Sequence, residues 1–233
     1  MKEILKKIFR SLGYELKKKN PYEFSYQWIK DMNIGSIIDV GANQGQFALE
    51  IAKEFPNTPI YSFEPIASIY NESLIKNTKH LNIKTYNVGL GDKCEKAIIN
   101  HTTYGNATSS LLEMGENHKK NFPLFVNTIE EEIEIITLDS FFETAKLEDN
   151  IFLKIDVQGY EDKVLAGAME ALKKIKVVQM ETTFIEMYKG EQLFDYFLPL
   201  MKSQGFELAG FSAVGFDKED GRPTYADAIY VKK

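Results

Sequence analysis

Four carboxylates stand where apolar runs of this chain end. Asp39 follows Ser36-Ile37-Ile38, and Gly41 and Gly45 come directly after it. Glu64 closes the run Tyr61-Ser62-Phe63, nineteen residues beyond Gly45. Asp156 closes Ile151–Ile155, with Gln158, Gly159 and Glu161 just behind, and Glu181 follows Val177–Met180. A glycine at such a strand end lets the backbone turn sharply and admits a ligand that would otherwise meet a Cβ. A helix N-terminus placed next to it adds free N–H donors and a partial positive charge. Asp156 and Glu181 reach one rim if their strands are neighbours. Two carboxylates there can share a proton, which raises one pKa and makes a general base. They can instead hold a divalent ion through oxygen. The competing structural reading has one of them capping a helix or pairing with Lys154. His101 is a second candidate base, because its ordinary pKa suits proton transfer near neutrality. A surface role for His101 competes with that reading.

The glycine loop separates two nucleotide cofactors. A dinucleotide site requires G-x-G-x-x-G, whose third glycine permits close helix packing. Here the loop is Gly41-Ala42-Asn43-Gln44-Gly45, with two glycines and an acid two residues ahead. A carboxylate beside a pyrophosphate repels it, whereas the sulfonium and ammonium groups of S-adenosylmethionine attract it. Glu64 at the next strand end is placed to accept hydrogen bonds from two ribose hydroxyls. Helix capping by Asp39 and Glu64 is the structural alternative.

The elements that must position these groups alternate. Ser36–Val40 reads as a buried strand and GQFALEIAKEF as a helix. PIYSFEP is a strand, SIYNESLIKNTKHL a helix, and IKTYNVGLGD a strand with a glycine exit. IFLKIDV is a strand, EDKVLAGAMEALKKI a helix, and VVQMETTF a strand. Such alternation, rich in Ile and Val, predicts an α/β fold: a doubly wound, mostly parallel sheet covered on both faces. Residues 93–140 interrupt the rhythm with two further strands, AIINHTT and EIEIITLDSF, around a polar stretch. An insertion there is expected over the carboxyl ends of the strands, on the substrate side. Its Tyr104, Asn106, Ser109 and Ser110 are hydrogen-bond partners for a polyol, or simply turn formers. The chain closes with a helix and two strands joined by the turn DKEDGRP. No repeat or low-complexity linker divides it, so residues 1–233 read as one domain with a helical appendage over 1–34. Within the appendage, residues 1–20 form an amphipathic pattern and YEFSYQWIKDM a second short helix.

Charge limits the partners. The chain carries −6 overall, yet residues 1–20 carry seven Lys/Arg against two Asp/Glu. The body is therefore acidic and unsuited to a polyanion, which argues against nucleic acid. The basic segment reads as a helix packed on the body with its lysines solvated, or as a peripheral membrane or partner contact. A single cysteine, Cys94, makes no internal disulfide, consistent with a reducing compartment. No apolar run reaches the ~20 residues of a membrane span. The start is charged rather than signal-like, so a cytoplasmic location is expected.

DVGANQG, FEP, LKIDVQGYE and METTF together resemble the FkbM-type methyltransferases, from about Ser36 to Phe184 and on to TYADAIYVKK. The resemblance implies a Rossmann-like class I fold with an antiparallel C-terminal strand. It also implies S-adenosylmethionine as cofactor and O-methylation of a hydroxyl on a sugar, glycan or natural product. By that resemblance Asp39, Gly41, Asn43 and Gly45 line the methionine end of the cofactor, and Glu64 holds the ribose. Val88–Asp92, with Gly89 and Leu90, lies near the adenine. Ala42, Phe47, Pro65, Asp156 and Gln158 join the cofactor-binding set. Residues 108–111 and 137–141 also match family positions, Asp139 being read as a cap for the helix that follows it. The Asp/Asn-Pro-Pro-aromatic motif of many amino-group methyltransferases is missing, and Asp156-Val157-Gln158-Gly159-Tyr160 stands in its place. A non-catalytic scaffold that binds the same cofactor within a glycan-assembly complex, and a methyltransferase acting on protein, lipid or RNA, remain as alternative readings. So does a divalent metal on Asp156 and Glu181.

Overall fold

A computed structural model describes residues 24–102 and 109–232. The segment 1–20 and the residues Tyr104 and Asn106 lie outside them. In chain order the strands are β1 (Ser36–Val40), β2 (Ile60–Phe63), β3 (Ile83–Tyr86), β4 (Gly89–Leu90) and β5 (Glu95–Thr102). They continue with β6 (Thr128–Ile136), β7 (Ile151–Ile155), β8 (Ile175–Thr183), β9 (Phe206–Phe216) and β10 (Pro223–Lys232).

Seven of them form the main sheet in the order β3-β2-β1-β7-β8-β10-β9. The first five run parallel. β10 lies antiparallel between β8 and β9, so the fold is the expected doubly wound α/β sheet with an antiparallel C-terminal strand. Strand order reverses between β1 and β7, which is where ligands sit in such sheets.

Consecutive strand residues go to opposite faces, and both faces are covered. Ile38, Leu153 and Val178 enter one core. Their neighbours Ile37, Phe152 and Val177 enter the other, against Ile51 of the helix Gln46–Glu54. Hence the strands read as continuous apolar runs. A polar row breaks the second face near its carboxyl end. Asp39 stands in register with Ser62 on one side and Lys154 on the other, and Lys154 with Gln179.

Four elements differ from the sequence pattern. The strand expected over EIEIITLDSF stops at Ile136, and its last four residues open the helix Leu138–Thr144, which the Thr137 hydroxyl caps. The strand expected over Ile83–Asp92 divides. β3 stays in the main sheet, and β4 pairs with β6 in a second sheet of order β4-β6-β5. The helix expected from Glu161 ends at Ala166, and only a 3-10 turn, Ala171–Lys173, follows. Gly167 sits against Gly91, where a Cβ would come 1.9 Å from the Gly91 carbonyl oxygen. The chain must bend to make that contact. Asp139 fixes the bend by accepting from the N–H groups of Glu170 (3.1 Å) and Ala171 (2.7 Å). It therefore caps this turn and not its own helix, Leu138–Thr144, whose N-cap is the Thr137 hydroxyl. The second N-terminal helix is reduced to Gln27–Lys30. No helix among the described residues is long and apolar enough to cross a membrane.

Candidate active site

The carboxyl end of β1 turns at Gly41, whose φ is +79°. A Cβ there would lie 1.9 Å from the Asp156 carbonyl oxygen, so the loop after β7 packs directly on this glycine. The Gly41 and Ala42 N–H groups donate to the Phe63 carbonyl at 3.1 and 2.9 Å. The Asn43 N–H donates to Glu64 Oε2 and the Ile66 N–H to Oε1, both at 2.9 Å. Glu64 is thus locked by two backbone donors, and each oxygen keeps a second lone pair for a ligand hydroxyl.

Above this loop opens a cavity of about 310 Å³, within the range of small-molecule sites. Asp39, Gly41, Ala42, Asn43, Phe47 and Glu64 line it from β1, β2 and the helix start. Pro65, Gly89, Leu90, Asp156 and Gln158 complete the set that the sequence nominates. Gly45 is not on the wall. It precedes the helix Gln46–Glu54 with φ +90° and faces Leu74 and Thr78. The insertion supplies Ser109 and, beside it, Ile99, Leu111 and Ile133, an apolar wall that motif reading missed because these three carry no chemical signature.

The cavity is acidic at both ends of its floor. Burial pushes the Asp39 carboxyl up to about 7, against the opposing pull of Lys154 and a 3.2 Å hydrogen bond from Ser62. Burial likewise raises Glu64 to about 7, against its two N–H donors. A cationic ligand relieves the cost of ionising such groups, and ribose hydroxyls satisfy the free lone pairs of Glu64. These residues therefore fit S-adenosylmethionine. Ionised Asp39 costs the ligand-free fold stability, because its pKa moves from 3.8 unfolded to about 7 folded. That cost is absent below about pH 4, grows between the two values and is complete above pH 7, reaching at most about 4 kcal/mol. Asp39→Asn is expected to raise the thermal midpoint of the ligand-free protein at pH 8 and to leave it nearly unchanged at pH 4, as measured by calorimetry.

Asp156 and Glu181 meet at the rim, as neighbouring strands require. The Gln158 amide donates to Asp156 Oδ1 at 2.8 Å and to Glu181 Oε1 at 3.2 Å, bridging the two. Tyr188 donates to the Gln158 oxygen at 2.9 Å. Lys154 Nζ stands 3.1 Å from Asp156 Oδ2. Burial opposes the lysine's charge, but Asp156, Asp227 and Glu181 hold its pKa above the ordinary value. Desolvation raises the Glu181 pKa well above 4.5, and the charges of Asp156 and Glu161 add to it. Glu161, pushed up to about 8 by burial, accepts from the N–H groups of Val157 and Gly159, each at 3.0 Å. It holds the loop on which Gln158 adopts φ +56°, a strained conformation of the kind that clusters at functional sites. Gln158 is therefore both a wall of the cavity and the clamp of the carboxylate pair.

Behind the pair lies a second cavity, of about 250 Å³. Asp156 and Gln158 border both spaces. The insertion reaches the second cavity through His118, Phe122 and Phe125. Of the polar residues expected to bind a polyol, the two described ones do not line it: Ser109 borders the first cavity, and Ser110 donates to the Gln158 carbonyl at 2.6 Å. His101 borders neither cavity. It is buried on β5, its Nε2 3.4 Å from Glu131 Oε2. Among the described residues, no three His, Cys, Asp or Glu side chains are grouped to hold a metal ion.

The strand order is that of a Rossmann-like sheet, and the glycine loop, its two acids and the clamped carboxylates gather at its switch point. Residues 39–208 match the model of the methyltransferase FkbM domain. The chain belongs to that family.

Among curated relatives, it is 26% identical over 181 residues to 2-O-methyltransferase NoeI of Sinorhizobium fredii (strain NBRC 101917 / NGR234). That match covers 74% of this chain and 72% of the relative. Methyltransferase 1 of Beauveria bassiana (strain ARSEF 2860) is 25% identical over 186 residues, with the same coverage. The crystal structure of methyltransferase FkbM from Methylobacillus flagellatus KT superposes with a TM-score of 0.49 at 13% identity. That superposition covers 85% of this chain, which spans 44% of the length of the solved one.

Proposed function

We propose that the chain is an S-adenosylmethionine-dependent O-methyltransferase acting on a hydroxyl of a sugar, glycan or natural product. One observation carries the reading: the two cavities meet at Asp156 and Gln158, so a ligand in each places its reacting atom beside the same carboxylate pair. S-adenosylmethionine supplies an electrophilic methyl carbon when bound. The residues of this chain do the rest. Asp39 and the Gly41 loop hold the cationic end of the cofactor, and Glu64 holds its ribose. The Asp156–Glu181 pair takes the proton that the acceptor hydroxyl loses, since a neutral hydroxyl is a poor nucleophile. Gln158 keeps both carboxylates aimed at one point, and such positioning lowers the barrier without further chemistry. NoeI, named as a 2-O-methyltransferase, is consistent with an oxygen acceptor.

Calorimetric titration with S-adenosylhomocysteine tests the cofactor half. The wild type is expected to bind it, and Glu64→Ala to weaken binding about tenfold or more through the lost ribose contacts. A wild type that does not bind ends the proposal. The acceptor half is tested by incubating S-adenosylmethionine with hydroxylated glycans and metabolites and looking for the mass gain of one methylene.

A further inference from the structure

The second cavity contains a buried histidine that the scheme above leaves unused. His118 lies on the helix Glu116–Asn121 and is 2% exposed. Its ring packs against those of Phe122 at 5.1 Å and Tyr188 at 5.0 Å. Neither Nδ1 nor Nε2 has a hydrogen-bond partner among the described residues. Burial lowers its pKa to about 4, so near neutral pH it is a neutral imidazole with one donor and one acceptor. Leaving such a group unmatched costs stability, and an apolar side chain would fill the space without that cost.

The helix that carries it is fixed on two sides. The Gly115 N–H donates to the Met187 carbonyl at 2.8 Å, and Asn117 Nδ2 to the Glu186 carbonyl at 2.9 Å. At its other end Lys218 Nζ donates to the Asn121 carbonyl at 2.8 Å, and Asn121 Nδ2 to Asp217 Oδ2 at 3.3 Å. The cavity itself has two kinds of wall. Phe122, Tyr188 and Tyr225 are aromatic, while Gln158, Glu181 and Asp156 are polar. A flat apolar surface meeting a polar edge is the complement of a pyranose, which has a C–H face and a hydroxyl rim.

We propose that His118 is the residue that recognises the acceptor: its imidazole hydrogen-bonds a hydroxyl of a pyranose ring seated in the second cavity, a bond made only when that ring is bound. The proposal rests on the methyltransferase reading for what the seated ring then undergoes, but the bond itself forms without turnover. His118 is a positioning and specificity residue, and the proton transfer stays with Asp156 and Glu181.

The test is saturation-transfer NMR with the methyl glycosides of glucose, galactose, mannose and rhamnose, each with and without S-adenosylhomocysteine. At least one glycoside is expected to bind the wild type. His118→Leu should weaken that binding about tenfold or more and leave S-adenosylhomocysteine affinity unchanged. His118→Gln, which keeps a donor and an acceptor, should stay within about threefold of the wild type. Equal glycoside binding by the Leu variant overturns the proposal, as does a wild type that binds none of the four sugars. Failure to bind S-adenosylhomocysteine defeats the methyl-transfer reading instead, and the glycoside measurements still decide His118.

Discussion

Asp156→Asn is expected to lower kcat by about 10²–10⁴-fold, the range for loss of a positioned general base. The substitution preserves shape and the bridge to Gln158 while removing the charge and basicity beside the acceptor. S-adenosylhomocysteine is neutral at sulfur, so its affinity should stay within about threefold. Lys154 keeps Asp227 and Glu181 as counter-charges, so the variant should fold. A second signature accompanies the rate. The charge of Asp156 helps to hold the Glu181 pKa above its ordinary value. Removing that charge lets Glu181 ionise more easily, so the acidic limb of the residual pH–rate profile should move to lower pH. Single-turnover rates across a pH series, with cofactor saturating, measure both. Wild-type turnover in the variant would eliminate Asp156 as the base.

Gly41→Ala is expected to destabilise the fold by about 3 kcal/mol or more and to abolish cofactor binding. The new methyl group would meet the Asp156 carbonyl oxygen at 1.9 Å and its carbon at 2.9 Å, while φ stays at +79°. Backbone cannot rotate aside as a side chain can, so the β1 loop and the β7 loop must separate. Gly45→Ala is the matched control. Its φ is +90°, but its Cβ would meet only side-chain atoms of Leu74 and Thr78 at 3.1 and 3.2 Å. Its expected loss is the left-handed strain alone, about 1–2 kcal/mol. Urea midpoints and m-values of the two variants separate steric conflict from conformational strain. Equal losses would mean that the close approach of the two loops does not matter to the fold.

The chain's linear pattern determined a good deal. A parallel sheet buries both faces of every central strand, so each strand shows as an unbroken apolar run and its end shows as the first acid or glycine. That made β1, β2, β7 and β8 legible, and with them Asp39, Glu64, Asp156 and Glu181, which sit where those runs stop. Their signal is local: a few residues mark both the element and its end.

Other features depended on contacts between distant segments, and these only the tertiary structure decided. The helix from Glu161 stops because Gly167 packs on Gly91, and Asp139 caps the turn that follows from more than thirty residues upstream. β4 leaves the main sheet because β6 offers it an edge. His118 lies in the polar stretch of the insertion and belongs to no motif. It becomes notable only because Phe122 and Tyr188 enclose it and, among the described residues, no polar partner comes with them. Gln158 and Asp156 were both nominated as wall residues, but the amide bridge to Glu181 requires the end of β8 to stand beside the loop after β7. Side-chain type and spacing fix what a residue can do. Burial and long-range register fix whether it has a partner, and for this chain they separate a wall residue from a clamp and an ordinary histidine from one left waiting for a ligand.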